Sequence, residues 1–250
     1  MRGLKFLSFL FLFFGLTYNN ATAESKLASY QMLRKADQAR GNLEGVTWKV
    51  GIVSQEGESK KHRVFNVKAR GFDIRAQNLS PAKYKGNKLL MVKGNMWFYK
   101  PDLSKPVPVS RRQRLLGNAT YGDIASTNYA EDYTAAFLKE EVINGEICYV
   151  YELEAKPDRM TTYDRIKYWV SKERSVGVKA DYFTVSGKKF KSAVMEYENS
   201  VELDSKKQPF ISQIIIYEAL MSKNVTILTF AEPVMSYIDD HIFNLNLLRK

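Results

Sequence analysis

A mainly β fold is predicted: a single antiparallel sheet curled into an unclosed half-barrel, with a helical lid or plug at its mouth. Three observations point to it. Apolar residues recur with a period of two from Val46 to Phe230, in short runs broken by Gly, Pro and polar turns. Helical periodicity is confined to one stretch ahead of those runs and a short polar segment in the middle of the chain. No linker or repeat divides the sequence, so one sheet must take up all the strands, and twisted sheets beyond ~10 strands curl or split. A filled barrel or a sandwich is the competing architecture.

The chain opens with an address. Arg2 and Lys5 precede the uncharged apolar run Phe6 to Leu16, and Ala21-Thr22-Ala23 has the small-x-small form of a signal-peptidase site. A run of this length falls short of the ~20 residues a membrane span needs. Residues 1–23 are therefore read as a signal peptide cleaved after Ala23, with an uncleaved anchor as the alternative, and residues 24–250 as one exported domain. Of the chain's net +11, loss of Arg2 and Lys5 leaves +9. Such a charge suits anionic headgroups or acidic protein faces, and export argues against nucleic acid as a partner.

Ser25 to Gly41 reads as an amphipathic helix, with Leu27, Tyr30, Leu33 and Ala36 on one face, Ser25 as N-cap and Gly41 as terminator. Val46, Trp48, Val50 and Ile52 then alternate as a half-buried strand. Phe65 to Ala69, Phe72 to Ala76, Leu89 to Val92 and Asn95 to Tyr99 continue the pattern, with Pro81 and Pro101 marking breaks. In the second half, strands are expected at Glu146 to Leu153, Tyr163 to Val170, Val178 to Val185, Phe190 to Tyr197, Phe210 to Tyr217 and Val225 to Phe230. The total is ten or eleven strands. Between the halves, Arg114 to Tyr129 is the candidate plug, with Gly122-Asp123 capping a short helix that begins at Ile124.

Three features carry candidate binding chemistry. Met96-Trp97-Phe98-Tyr99 offers aromatic surface suited to an apolar cavity, although an ordinary core strand has the same composition. Arg111, Arg112 and Arg114 place three guanidinium groups within four positions, able to grip phosphate or carboxylate, or simply to solvate a loop. Leu115 to Tyr133 mixes small residues with Asp123, Thr127 and Asn128, which suits either a weakly packed lid or a static plug. Trp48, Trp97, Tyr99 and Tyr168 are the candidate liners of an apolar face, and Arg111, Arg112 and Arg114 the candidate headgroup contacts.

Catalytic signatures are missing from the sequence. No nucleophile elbow, phosphate loop or zinc-protease helix is present, so the chain is read as a non-enzyme with no cofactor and no metal. His62 lies among Lys60, Lys61 and Arg63. His241 follows Asp239-Asp240, a trio able to hold a metal only weakly, since a catalytic site needs three fixed ligands and a second shell. Cys148, the single cysteine, permits no intrachain disulfide and reads as a small core residue.

Several landmarks occur in an order that resembles the outer-membrane lipoprotein-sorting family, the LolA/LolB-like periplasmic lipoprotein carriers. They are Met96-Trp97 to Pro101, Arg111 to Gly117, Gly122-Asp123, Asp132-Tyr133, Cys148-Tyr149-Val150 and Tyr163-Asp164-Arg165 followed by Tyr168-Trp169-Val170. Lys179-Ala180, Ser186-Gly187-Lys188 and a closing Phe243 to Arg249 complete the series. The resemblance implies an eleven-stranded unclosed barrel plugged by helices, a short terminal helix, and a periplasmic location. It also implies a cargo of lipoprotein or lipid acyl chains, an inner-membrane transporter as donor and an outer-membrane acceptor. The proline-rich connector and the arginine loop depart from LolA itself, so another lipid is an alternative cargo. A sensor of the same fold that controls a membrane partner is the alternative function.

Overall fold

The computed structural model describes residues 11–125, 127–219 and 224–249, with side chains from Ser25 onward. Arg2, Lys5 and the start of the predicted leader lie outside the described residues. A helix, α1 (Phe11–Gln38), starts earlier than expected. Ser25 is not its N-cap but an interior residue, whose carbonyl accepts from Ser29 Oγ at 3.0 Å. The helix stops three residues before Gly41, where φ is +98° and a Cβ would come within 2.9 Å of the Trp48 ring.

Six strands follow as a meander: β1 (Val46–Glu56), β2 (Ser59–Arg70), β3 (Asp73–Ser80), β4 (Lys88–Val92), β5 (Asn95–Tyr99) and the two-residue β6 (Val107–Pro108). The middle of the chain forms a small hairpin, β7 (Arg114–Leu116) and β8 (Ala119–Thr120), then a 3-10 turn (Tyr121–Ile124) and α2 (Tyr129–Asp132). The second meander is β9 (Tyr133–Ile143), β10 (Glu146–Ala155), β11 (Arg165–Ser171), β12 (Gly177–Phe183) and β13 (Lys189–Glu196). A separate hairpin, β14 (Asn199–Leu203) and β15 (Lys206–Phe210), precedes β16 (Gln213–Glu218) and β17 (Val225–Met235).

Among the described residues the main sheet has thirteen strands, in the order β6-β5-β4-β3-β2-β1-β17-β16-β13-β12-β11-β10-β9. The chain's last strand joins its first, with Val46 opposite Met235 and Gln55 opposite Val225. Strands β6 and β9 are its two edges, so the sheet curls without closing. The count exceeds the expected ten or eleven because β6 reads as part of a proline connector and β9 lacks alternation. In β9, Phe137 faces Tyr151 and Lys139 faces Val150, which leaves Leu138 as an extra residue that breaks the period.

The concave face is filled from within. Trp48, Val50, Ile52, Val67, Ile74, Leu89, Leu153, Ile166, Tyr182 and Leu228 pack with Leu33 and Ala36 of α1 and with Leu115, Leu116, Ile124 and Tyr129 of the middle segment. Each large apolar side chain fully buried in this way contributes about 1.5–3 kcal/mol. The middle segment is thus a plug, but the helix expected from Ile124 does not form. Its place is taken by the 3-10 turn and the one-turn α2, because residues 125–128 carry no apolar helical period. The terminal helix is likewise replaced by two 3-10 turns, Asp240–Phe243 and Leu245–Leu247. Phe243 and Leu248 cover Leu90 and Tyr99 in a separate cluster behind the sheet.

Candidate functional site

The predicted site residues fall into separate places. Trp48 is 1% exposed and stands edge-on to Phe210, with centroids 5.7 Å apart. Tyr168 is fully buried, edge-on to Tyr129 at 5.3 Å, and leaves no room for a Cβ at Gly177. These two lie in the inner core. On β5 it is Met96 and Phe98 that join that core, whereas Trp97 and Tyr99 belong to the cluster behind the sheet. The four aromatics therefore do not line one face. A one-residue error in reading the β5 alternation puts Trp97 and Tyr99 on the wrong side.

The three arginines also diverge. Arg111 is only 8% exposed, lies 5.1 Å over the Phe72 ring and reaches Asp132 Oδ2 at 3.9 Å. Burial lowers the Arg111 pKa and raises that of Asp132, each only partly offset by the other's charge. Arg112 donates from Nε to the Thr161 carbonyl at 2.9 Å and pairs with Asp164 Oδ1 at 2.7 Å. Arg114 is exposed at the start of β7 and lines a different recess, beside Lys188 and Phe190.

Trp97, Arg111 and Arg112 do meet around one cleft of about 610 Å³. The β4–β5 turn at Gly94, the segment after β6, and the loop at residues 159–161 form its walls. Met96, Trp97, Pro108, Val109 and Met160 make it apolar, while Arg111, Arg112 and Arg159 supply positive charge. Arg159 and Met160 were not legible as site residues, because they come from an irregular loop after β10 that no local pattern brings to β5.

Behind the cleft, the plug is pinned by buried polar groups. Asp123 accepts from Lys191 Nζ at 2.7 Å, from Tyr163 Oη at 2.7 Å and from the Thr120 amide at 2.7 Å, and Lys191 also contacts the Tyr163 hydroxyl. Burial alone would raise the Asp123 pKa, but Lys191 and these donors hold it below the usual carboxylate range. On the other side, Asp37 of α1 accepts from the Ala130 amide at 2.9 Å, and Asn42 Nδ2 donates to the Thr127 carbonyl at 2.8 Å. Tyr30 of α1 donates to Glu131, and Arg40 Nη1 to the Tyr129 hydroxyl at 3.5 Å. The plug is thus held to α1 and the turn after it by one set of contacts and to β13 by another.

Among the described residues no cluster of three or more His, Cys, Asp or Glu side chains is arranged to hold a metal. His241 Nδ1 lies 2.6 Å from Asp239 Oδ1, while Asp240 turns away to pair with Arg70. Cys148 is fully buried, in a cluster with Val150, Trp169 and Val178. No described helix is long and apolar enough to cross a membrane.

The unclosed antiparallel sheet matches a LolA-like fold. A LolA superfamily protein from Nitrosomonas europaea is 29% identical, with a TM-score of 0.76 over 86% of this chain and 97% of that one. A DUF1329 family protein from Desulfovibrio piger (19% identity, TM-score 0.74, 89% and 98% covered) shares the fold. So does a putative outer membrane lipoprotein-sorting protein domain from Vibrio parahaemolyticus (16%, 0.74, 88% and 98%). Residues 76–250 match the model of a family described as "Uncharacterized protein", and the chain belongs to that family. No curated protein matches the sequence.

Proposed function

We propose that the protein is a periplasmic carrier that binds the acyl chains of a lipoprotein or lipid and shuttles them toward the outer membrane. The observation that carries this reading is the apolar cleft with three arginines, set against a plug that fills a half-barrel and is tethered by a few polar contacts. A lipid headgroup carries phosphate or carboxylate, which the exposed Arg112 and Arg159 can meet with charge-assisted hydrogen bonds, with buried Arg111 adding positive charge behind them. Acyl chains gain about 0.8 kcal/mol per buried methylene, so a displaced plug would open an interior able to hold them. In this scheme Trp97 borders the entrance, and Trp48 and Tyr168 are reached only when the plug moves. The protein performs no chemistry on its cargo. Cargo arrives from an inner-membrane transporter after the leader has been removed behind Ala23, and leaves to an outer-membrane acceptor.

Native mass spectrometry of the exported protein, with extraction of whatever is bound, tests the proposal. Near-stoichiometric phospholipid or acylated peptide is expected, together with uptake of a fluorescent fatty acid that weakens in Arg112→Ala and Arg159→Ala. A protein that purifies empty and takes up no probe would overturn it.

A further inference from the structure

The turn between β12 and β13 and the adjoining β7–β8 hairpin form a basic rim with an apolar tip, away from the cleft. Val185 at the tip is 80% exposed. The turn that displays it is closed by Thr184 N to Lys188 O at 3.0 Å and Gly187 N to Thr184 O at 2.9 Å, with Gly187 at φ +81°. The Lys188 amide also donates to Thr184 Oγ1 at 3.2 Å, so the turn that presents Val185 is closed at its base. Behind it lies a recess of about 410 Å³ walled by Gly117, Ala119 and Phe190, the last 38% exposed.

Positive charge surrounds this recess. Arg114, Lys188 and Lys189 line its mouth, and exposed Lys60 and Lys61 stand at the start of β2, beside the β1–β2 turn with its exposed Glu58, at the same end of the sheet. Lys189 lies 3.6 Å from Asp181, but among the described residues neither Arg114 nor Lys188 has an ion-pair partner. Glu218 is the one acid lining the recess among the described residues, and it accepts from Asn224 Nδ2 at 3.3 Å.

We propose that this rim is a docking surface for an anionic lipid bilayer. Charge complementarity selects that occupant. Unpaired cations meet phosphate groups, while an aliphatic tip and a phenyl ring enter the boundary between headgroups and chains. The inference stands on residues other than those of the cleft and does not need the cleft to carry cargo.

The test is co-sedimentation of the protein with vesicles of phosphatidylethanolamine and phosphatidylglycerol, compared with phosphatidylcholine alone. Wild type should bind the anionic vesicles preferentially, and less so at raised salt. Each basic residue near such a surface contributes roughly fivefold in affinity, so Lys188→Glu should weaken binding at least that much. Val185→Asp should weaken it too. Both side chains are exposed, and a thermal melt will confirm that the variants fold. Equal binding to phosphatidylcholine, or binding unchanged in both variants, would overturn the proposal. Direct binding of polyglutamate by a protein that ignores anionic vesicles would also overturn it and point to an acidic protein instead. Fatty-acid uptake by the same variants should match wild type, so failure of the docking surface and failure of the carrier reading remain distinguishable.

Discussion

Asp37 holds a carboxylate in the core, where burial pushes its pKa up to about 6 despite the Ala130 amide and the nearby Arg40 guanidinium. The folded protein therefore binds this proton more tightly than the unfolded chain does. Its contribution is most favourable below pH 4 and is lost as pH rises through 6. At pH 7.5 the ionised group costs up to about 3 kcal/mol relative to a neutral one. Asp37→Asn keeps an oxygen for the Ala130 amide, so it should flatten the urea-midpoint profile between pH 4 and 6 without lowering the midpoint at pH 7.5. A drop at pH 7.5 would refute this account.

Lys191 behaves in the opposite way, since its charge has a buried partner in Asp123. Lys191→Met should cost about 3–5 kcal/mol in equilibrium unfolding by stranding that carboxylate, and adding Asp123→Asn should restore much of the loss. Neither buried carboxylate was read as such from the sequence. Asp123 was visible only as a candidate cap, because the lysine that completes its environment lies on a strand 68 positions later. Single-residue burial was legible where alternation was clean, as for Val46 to Ile52, and failed by one position at Trp97 and Tyr99.

Among the elements, the β7–β8 hairpin shows how the plug is seated. Gly117 at its turn has φ +55°, and a Cβ there would lie 2.1 Å from Ser54 Oγ and 2.3 Å from Thr226 Oγ1. The next amide, of Asn118, donates to Thr226 Oγ1 at 2.8 Å. Gly117→Ala should thus lift the hairpin off β1 and β17, costing about 1–3 kcal/mol for the backbone alone, as read by denaturant unfolding. Gly51→Ala is the control, since a Cβ there meets nothing within 4 Å and the effect should be small. Long alternating strands and their hairpin partners were legible because each carries its own period. The plug's 3-10 turn and one-turn helix were not, since they exist through contacts with α1 and β13 and not through local propensity.

For the whole molecule, the decisive property is that the plug occupies the same interior a bound chain would need. Under the carrier proposal, uptake is limited by plug release, and weakening the β13 tether should speed it. Stopped-flow uptake of a fluorescent fatty acid is expected to be about tenfold faster in the Asp123→Asn/Lys191→Met protein for each 1.4 kcal/mol removed from the closed state. An unchanged rate in that folded double variant would separate uptake from the plug. The single curled sheet was foreseen from strand spacing and the lack of a linker. The pairing of first strand with last was not, because no local signal records which distant edges meet.

That pairing also governs the order in which the fold can be completed. With Val46 opposite Met235, the two halves of the sheet meet only where β17 lies between β1 and β16. Each meander can form through its own hairpins, but bringing β17 beside β1 closes a loop that spans most of the chain, which makes that step the entropically costly one. A chain made from its N-terminus exposes the apolar faces of β1 to β6 long before β17 emerges. Synthesis must therefore tolerate a half-sheet whose free edge, at β1, awaits about the last tenth of the chain.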